Sequence, residues 1–246
     1  MIETPGTNGA VRMDDLPWTD VASHLRGDPR ILLPVGSTLQ HGPHLPLSTD
    51  SVIASRLADA LSARHGVLVA PTLPYGVVSS VEQEYAGSAS VDRKTLHRSL
   101  NQLIGVWERQ GVEEFVLLTA HGYGPHIAAI ATVVSERSRV RSVDIHSVNL
   151  EEFLEGRAGT QHGGELETSL MLHLAPELVR TDRIADAPLE PAEERKRVVG
   201  EEPVPERGSP GVVGTPSLAS PEKGRRVFEH LVGFIGARVL AEKEPA

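Results

Sequence analysis

Residues 31–50, ILLPVGSTLQHGPHLPLSTD, place His41, His44 and Asp50 in a loop directly after an apolar run. A buried strand that opens into imidazole and carboxylate groups is one way to build a metal site at a sheet edge. His121 repeats the arrangement, because the apolar stretch from Phe115 to Leu118 runs straight into it. Both histidines adjoin glycines, which let backbone approach closely. In open parallel sheets the ligand crevice forms beyond the carboxyl ends of the strands, so the two motifs point to one place. A lone loop histidine is more often surface decoration, and His24, His65, His97 and His230 read that way.

Two further groups invite both a structural and a chemical role. Asp50 stands just before a helical pattern, where aspartate often serves as the N-cap, and the sequence by itself favours that role. In QHGGELETS, residues 161–169, His162 lies in a Gly-Gly turn followed by Glu165 and Glu167. Acids near a helix start are favoured by the helix dipole. Glu167, however, leads into apolar positions that should be buried, and a buried carboxylate wants a partner, for which a cation is natural. Leu39, two residues before His41, occupies a position where an acid would serve a metal better.

The elements that must position these groups alternate between strand and helix, the pattern of an α/β fold with a parallel core sheet. Strands are expected at Ile31 to Val35, Val67 to Ala70, Phe115 to Leu118 and Val143 to Val148. A helix from Ser51 to Arg64 carries Val52, Ile53, Leu57, Ala60 and Leu61 on one face and stops at Gly66. Leu96, Leu100, Leu103, Ile104 and Trp107 mark another, with Asp92 as N-cap and Gly111 as C-cap. Further helices are expected from about Pro125 to Arg137, from Glu165 to Leu174, and from Pro221 onward with Val227, Leu231, Phe234, Ile235 and Val239 facing inward. Residues 71–91 are irregular, and a long ordered loop in a compact enzyme is often functional. Residues 185–220, rich in proline, glycine and charge, read as an excursion from a single domain over 14–243, preceded by a loose tail over 1–13.

Composition narrows the chemistry. With 246 residues the chain can bury a substantial core, and with no cysteine it excludes disulfides, thiolate catalysis and Cys-ligated zinc. Any metal must be held by nitrogen and oxygen, which suits Zn²⁺, Mn²⁺ or Fe²⁺. A net charge of −9 argues against nucleic acid or an anionic membrane as partner. The basic spot at Arg195, Lys196 and Arg197 is flanked by acids and reads as a solvated helix face. The N-terminus lacks the basic start and apolar core of a secretory signal, so a cytoplasmic location is expected.

PVGSTLQHGPHLPLSTD resembles the signature of the creatininase (creatinine amidohydrolase) family, Glu-Gln-His-Gly-Pro-His-Leu-Pro with a later Asp. TAHGYG at 119–124, HGGELETS at 162–169 and GVVGTPSLASPEKGRRVFE at 211–229 are similar to that family's later stretches, in the same order across roughly residues 15–240. The resemblance implies a three-layer αβα fold with a mainly parallel sheet, a homo-oligomer (frequently a hexamer) and a metal-dependent hydrolase of C–N amide bonds. Carried over, His41, Asp50 and His121 fall on metal-ligand positions, Asp50 on the bridging one, and Glu167 on the remaining carboxylate. His162 falls on the proton-handling position, and His44 on one that steers a ligand by hydrogen bonding. Where the family has its first metal-binding Glu, this chain has Leu39, which should weaken a second ion and leave one tightly bound. The loop at 79–89, SSVEQEYAGSA, lacks the family's His, and Tyr123, Pro125 and His126 are unusual, so the pocket should differ from one built for creatinine, with Tyr123 as a candidate substrate contact. The activity expected is cleavage of a small amide, cyclic ones included, or of a peptide end through a metal-activated water. The alternatives are a single-metal lyase or isomerase on the same scaffold, or a degenerate homologue that binds a ligand or partner.

Overall fold

The computed structural model describes residues 9–156, 162–187 and 205–241. The expectation for residues 195–197, and the tail over residues 1–8, lie outside them. Four strands form one sheet in the order β2-β1-β3-β4, with β1 at Arg30–Pro34, β2 at Leu68–Val69, β3 at Glu114–Thr119 and β4 at Arg139–Asp144. All three pairings are parallel, with Leu32 opposite both Val69 and Val116.

Alternation along the strands builds two cores. Leu32, Val116 and Leu118 face one side, where they meet Ile53, Leu57 and Leu61 of α2 (Thr49–His65), Leu170 of α5 (Glu165–Leu174) and Val227 and Leu231 of α6 (Pro221–Ile235). Ile31, Leu33, Phe115 and Leu117 face the other, against Leu25 of α1 (Trp18–Gly27), Leu96, Leu100 and Ile104 of α3 (Arg93–Arg109) and Ala129 and Ile130 of α4 (Gly124–Ala131). Helices therefore cover both faces, giving the three-layer αβα fold. No helix of the described residues is long and apolar enough to cross a membrane.

Most expected elements are present, and the differences have local causes. Asp92 caps α3 by accepting the Thr95 N–H at 2.8 Å. The helix expected from Ser51 begins at Thr49, so Asp50 sits inside its first turn and is not the N-cap; its carboxylate is engaged elsewhere. Helix α4 stops at Ala131 instead of Arg137, because the Glu108 carboxylate captures the Ser135 hydroxyl and the Arg137 and Ser138 N–H groups in a turn. The last strand is Arg139–Asp144, not Val143 to Val148. It lies at the sheet edge, where Arg141 pairs with Glu114 at 2.8 Å, and a charged strand with one neighbour carries little hydrophobic signal. Phe234, expected to face inward, is partly exposed. The end of the expected tail is docked: Arg12 bridges Val69 at the sheet edge and pairs with Asp59 at 2.7 Å.

Candidate metal centre

The carboxyl ends of β1 and β3 deliver the two histidines to one spot. His41 lies in the loop that follows β1, and His121 lies two residues beyond β3, its N–H bonded to Thr119 Oγ1 at 3.1 Å. Asp50, in the first turn of α2, is fully buried between them. One oxygen, Oδ1, is 3.0 Å from His41 Nε2; the other, Oδ2, is 3.2 Å from His121 Nδ1 and accepts the Ser37 hydroxyl at 2.5 Å.

Backbone carbonyls fix which nitrogen of each ring is free. His41 Nδ1 donates to the Leu39 carbonyl at 3.0 Å, and His121 Nε2 donates to the Val77 carbonyl at 2.8 Å. The remaining nitrogen of each ring is aimed at Asp50. Orientation of a ligating imidazole by a hydrogen bond at its far nitrogen is the usual support of a metal site. Leu39 thus contributes its carbonyl. Its side chain is fully buried, and no acid stands there.

The third stretch closes the site from α5. Glu167 is buried in that helix's first turn, with Oε2 accepting the Gly163 N–H at 2.6 Å and Oε1 3.9 Å from His41 Nε2. Gly163 has φ +62°, and a Cβ there would meet the His41 carbonyl oxygen at 2.7 Å, so this backbone approach needs glycine. His162 is held by a reciprocal backbone pair with Val213, and its ring lies 4.4 Å from that of His41. One nitrogen each of His41 and His162 and one oxygen of Glu167 all lie within 4.8 Å of one another.

The electrostatics are those of a site that demands a cation. Burial disfavours the charged His41 ring, but Asp50, their hydrogen bond and Glu167 outweigh it and raise its pKa to about 9. His121 is likewise raised by Asp50 against burial. Asp50 is held well below the usual carboxylate range by the two imidazoles, although burial opposes this. Burial pushes Glu167 up. His162 is driven well below its ordinary value by burial and by His41. Two nitrogens and a shared carboxylate, each aimed at the others and drawing in positive charge, fit a divalent ion of nitrogen-and-oxygen preference.

Two expected contacts take a different form. His44 bonds no ligand: its Nε2 meets Thr168 Oγ1 at 2.8 Å, so it braces the turn that carries Glu167. The Tyr123 ring lies 6.2 Å from that of His121, with much of its surface packed on the second core. Sequence reasoning gave no role to Gln40, Glu82 or His126, although it marked His126 and the 79–89 loop as departures from the family pattern. Gln40 meets His162 Nε2 through its carbonyl at 2.6 Å and its side-chain amide at 2.9 Å. His126 Nδ1 accepts the Val77 N–H at 3.2 Å, anchoring the residue whose carbonyl holds His121. Burial and the neighbouring His121 lower its pKa to about 3, keeping it neutral. The length of the 71–91 loop was a further hint, and that loop supplies both Val77 and Glu82.

An αβα sheet that gathers imidazoles and carboxylates at the carboxyl edge of its central strands defines an N,O-ligand metalloenzyme scaffold. The chain belongs to the creatininase family: the family model, described as creatinine amidohydrolase, matches residues 14–239. It is 33% identical over 230 residues to the mycofactocin precursor peptide peptidase of Mycobacterium ulcerans (strain Agy99), covering 86% of this chain and 84% of that protein. It is 28% identical over 259 residues to the creatinine amidohydrolase of Pseudomonas putida, covering 96% and 98%. A crystal structure of creatininase superposes with a TM-score of 0.82 at 26% identity, covering 96% of this chain and 99% of that one. Solved creatininases described as a Zn-Zn type and as an Mn form share the fold. The chain is accordingly a creatininase-family amidohydrolase.

Proposed function

We propose that the chain hydrolyses a C–N amide bond at a peptide end or in a small amide, with one tightly held divalent ion (Zn, Mn or Fe) bound by His41, Asp50, His121 and the adjacent Glu167. The observation that carries this reading is the pinning of both imidazoles: a carbonyl fixes one nitrogen of each ring and leaves the other facing an oxygen of Asp50. The peptide end is favoured because the mycobacterial peptidase is more similar in sequence than the creatinine hydrolase.

A bound divalent ion supplies Lewis acidity toward a carbonyl oxygen and lowers the pKa of water. The chain supplies the rest. Asp50 and Glu167 provide two carboxylates, and no third replaces them at Leu39, which supports a single tight ion. His162, neutral because burial and His41 depress its pKa, accepts a proton from the attacking water. The water oxygen bonds to the amide carbon, the C–N bond breaks, and His162 returns the proton to the departing nitrogen. Tyr123, whose ring lies 6.2 Å from that of His121, is the substrate contact in this reading. A homo-oligomer, of the hexameric kind the family resemblance implies, and a cytoplasmic location complete this reading.

The test is His121→Ala with metal content measured alongside turnover of short peptides and small amides. Loss of both is expected. A variant that keeps full metal and full turnover would refute the ligand assignment.

A further inference from the structure

The turn between β2 and α3 delivers a buried carboxylate that the centre above does not use. Glu82 is 4% exposed, whereas Glu84, two residues on, is an exposed acid that pairs with Arg207 at 2.6 Å. The turn is pinned: Gln83 Nε2 donates to the Val78 carbonyl at 2.8 Å, and the Ser79 hydroxyl donates to Glu82 Oε2 at 2.7 Å. The other oxygen, Oε1, accepts no hydrogen bond from the described residues. It faces His162 Nε2 at 3.4 Å, but Gln40 engages that nitrogen through its carbonyl at 2.6 Å and its side-chain amide at 2.9 Å. The His162 ring is also neutral, because burial and His41 hold its pKa well below the ordinary value.

A buried carboxylate oxygen with neither a donor nor a positive partner is costly until one reaches it. The positive groups whose charge acts on Glu82 are His121 and His41, while Asp50 opposes them. Both imidazoles are neutral once they ligate an ion. The loaded centre then sets Asp50, Glu167 and Glu82 against one divalent ion, which leaves a single negative charge in excess. His162 must reach the scissile amide to move its proton, so a group bonded to Oε1, beside Nε2, borders the reacting bond. A cationic N–H group meets both needs, because it donates to the free oxygen and cancels the excess charge.

We propose that Glu82 sets the specificity of the centre, selecting amides that carry a positively charged nitrogen, an ammonium or a guanidinium, close to the scissile bond; at a peptide this is the amino end. The proposal rests on the single-ion hydrolase reading above, since a second divalent ion would cancel the excess charge.

Titration calorimetry of the whole, metal-loaded protein at neutral pH tests it without turnover. The probes are short aminoalkyl hydroxamates, whose hydroxamate anchors on the ion and whose ammonium is free, each against the uncharged alkyl hydroxamate of the same length. Metal content is read on the same samples. Wild type with one ion should bind the best ammonium probe about tenfold or more tighter than its uncharged match. Glu82→Gln should keep that ion and erase the ratio, and Glu82→Asp should recover part of it. Equal binding of every matched pair in wild type, a ratio that survives Glu82→Gln, or a loaded centre that binds neither probe overturns the proposal and leaves the metal centre standing. Loss of the ion in Glu82→Gln would place Glu82 among the groups that hold the metal and overturn its specificity role. If wild type holds two tight ions or none, the single-ion reading fails and the proposal falls with it.

Discussion

Asp50→Asn is the substitution that most directly probes the centre. Asparagine keeps the shape but removes the charge shared by two imidazoles, and its amide would face one ring nitrogen with a donor. The magnitude follows from His41, whose pKa rises from 6.5 to about 9 in the metal-free protein. At about 1.36 kcal/mol per pH unit, the interactions that hold a proton on His41 contribute on the order of 3 kcal/mol. Because Asp50 and His41 share one interaction, this energy is counted once. A raised pKa stabilises fully below the unfolded value near 6.5 and is lost as pH climbs through about 9. Metal-free wild type should therefore lose melting temperature across that window, while Asp50→Asn should start lower and stay flatter. For a chain of this size about 3 kcal/mol corresponds to roughly 6–12 °C near pH 6. Scanning fluorimetry in EDTA from pH 6 to 9.5 reads both effects. Equal melting temperatures and equal slopes would show that Asp50 does not hold these histidines electrostatically.

Two further outcomes follow from the support around the centre. Gly163→Ala should weaken metal binding by about tenfold or more with little loss of secondary structure, because its Cβ would push on the His41 carbonyl; titration calorimetry with Zn²⁺ beside circular dichroism checks this. Lys223→Met should destabilise by about 3 kcal/mol, since it leaves Glu165 buried without its ammonium partner, and chemical denaturation measures it. The full penalty is moderated because Glu165 also accepts the Glu155 and Gly156 N–H groups at 2.9 and 2.6 Å.

What the sequence revealed and concealed follows from the range of the forces involved. Strands β1 and β3 were legible because both faces are covered, which demands unbroken apolar runs such as Ile31 to Leu33 and Phe115 to Leu118. Strand β4 was not, because an edge strand with charged residues carries no such demand. His41 and His121 were legible as candidates because each directly follows a strong strand. Asp50 was ambiguous, since a first-turn aspartate looks the same whether its carboxylate bonds the backbone or turns to two imidazoles 9 and 71 residues away in sequence. Helix α1 escaped because it buries only Leu25 and exposes Trp18.

Glu82 escaped for a different reason, and it bears on how the centre tolerates Leu39. Nothing in VEQEY separates the first acid from the second: both lie in a polar turn, and neither has periodic apolar neighbours. Only the fold separates them, by packing the turn so that Glu82 meets Ser79 and His162 while Glu84 faces Arg207. Reasoning from position 39 alone therefore undercounts the carboxylates around the site, because it tallies charge along one loop when the field at His121 and His41 is set by every loop that closes over them. Position 39 carries no acid, yet the 79–85 turn brings Glu82 Oε1 to 3.4 Å from His162 Nε2, a contact between residues 80 apart in sequence that no reading of either stretch alone would show.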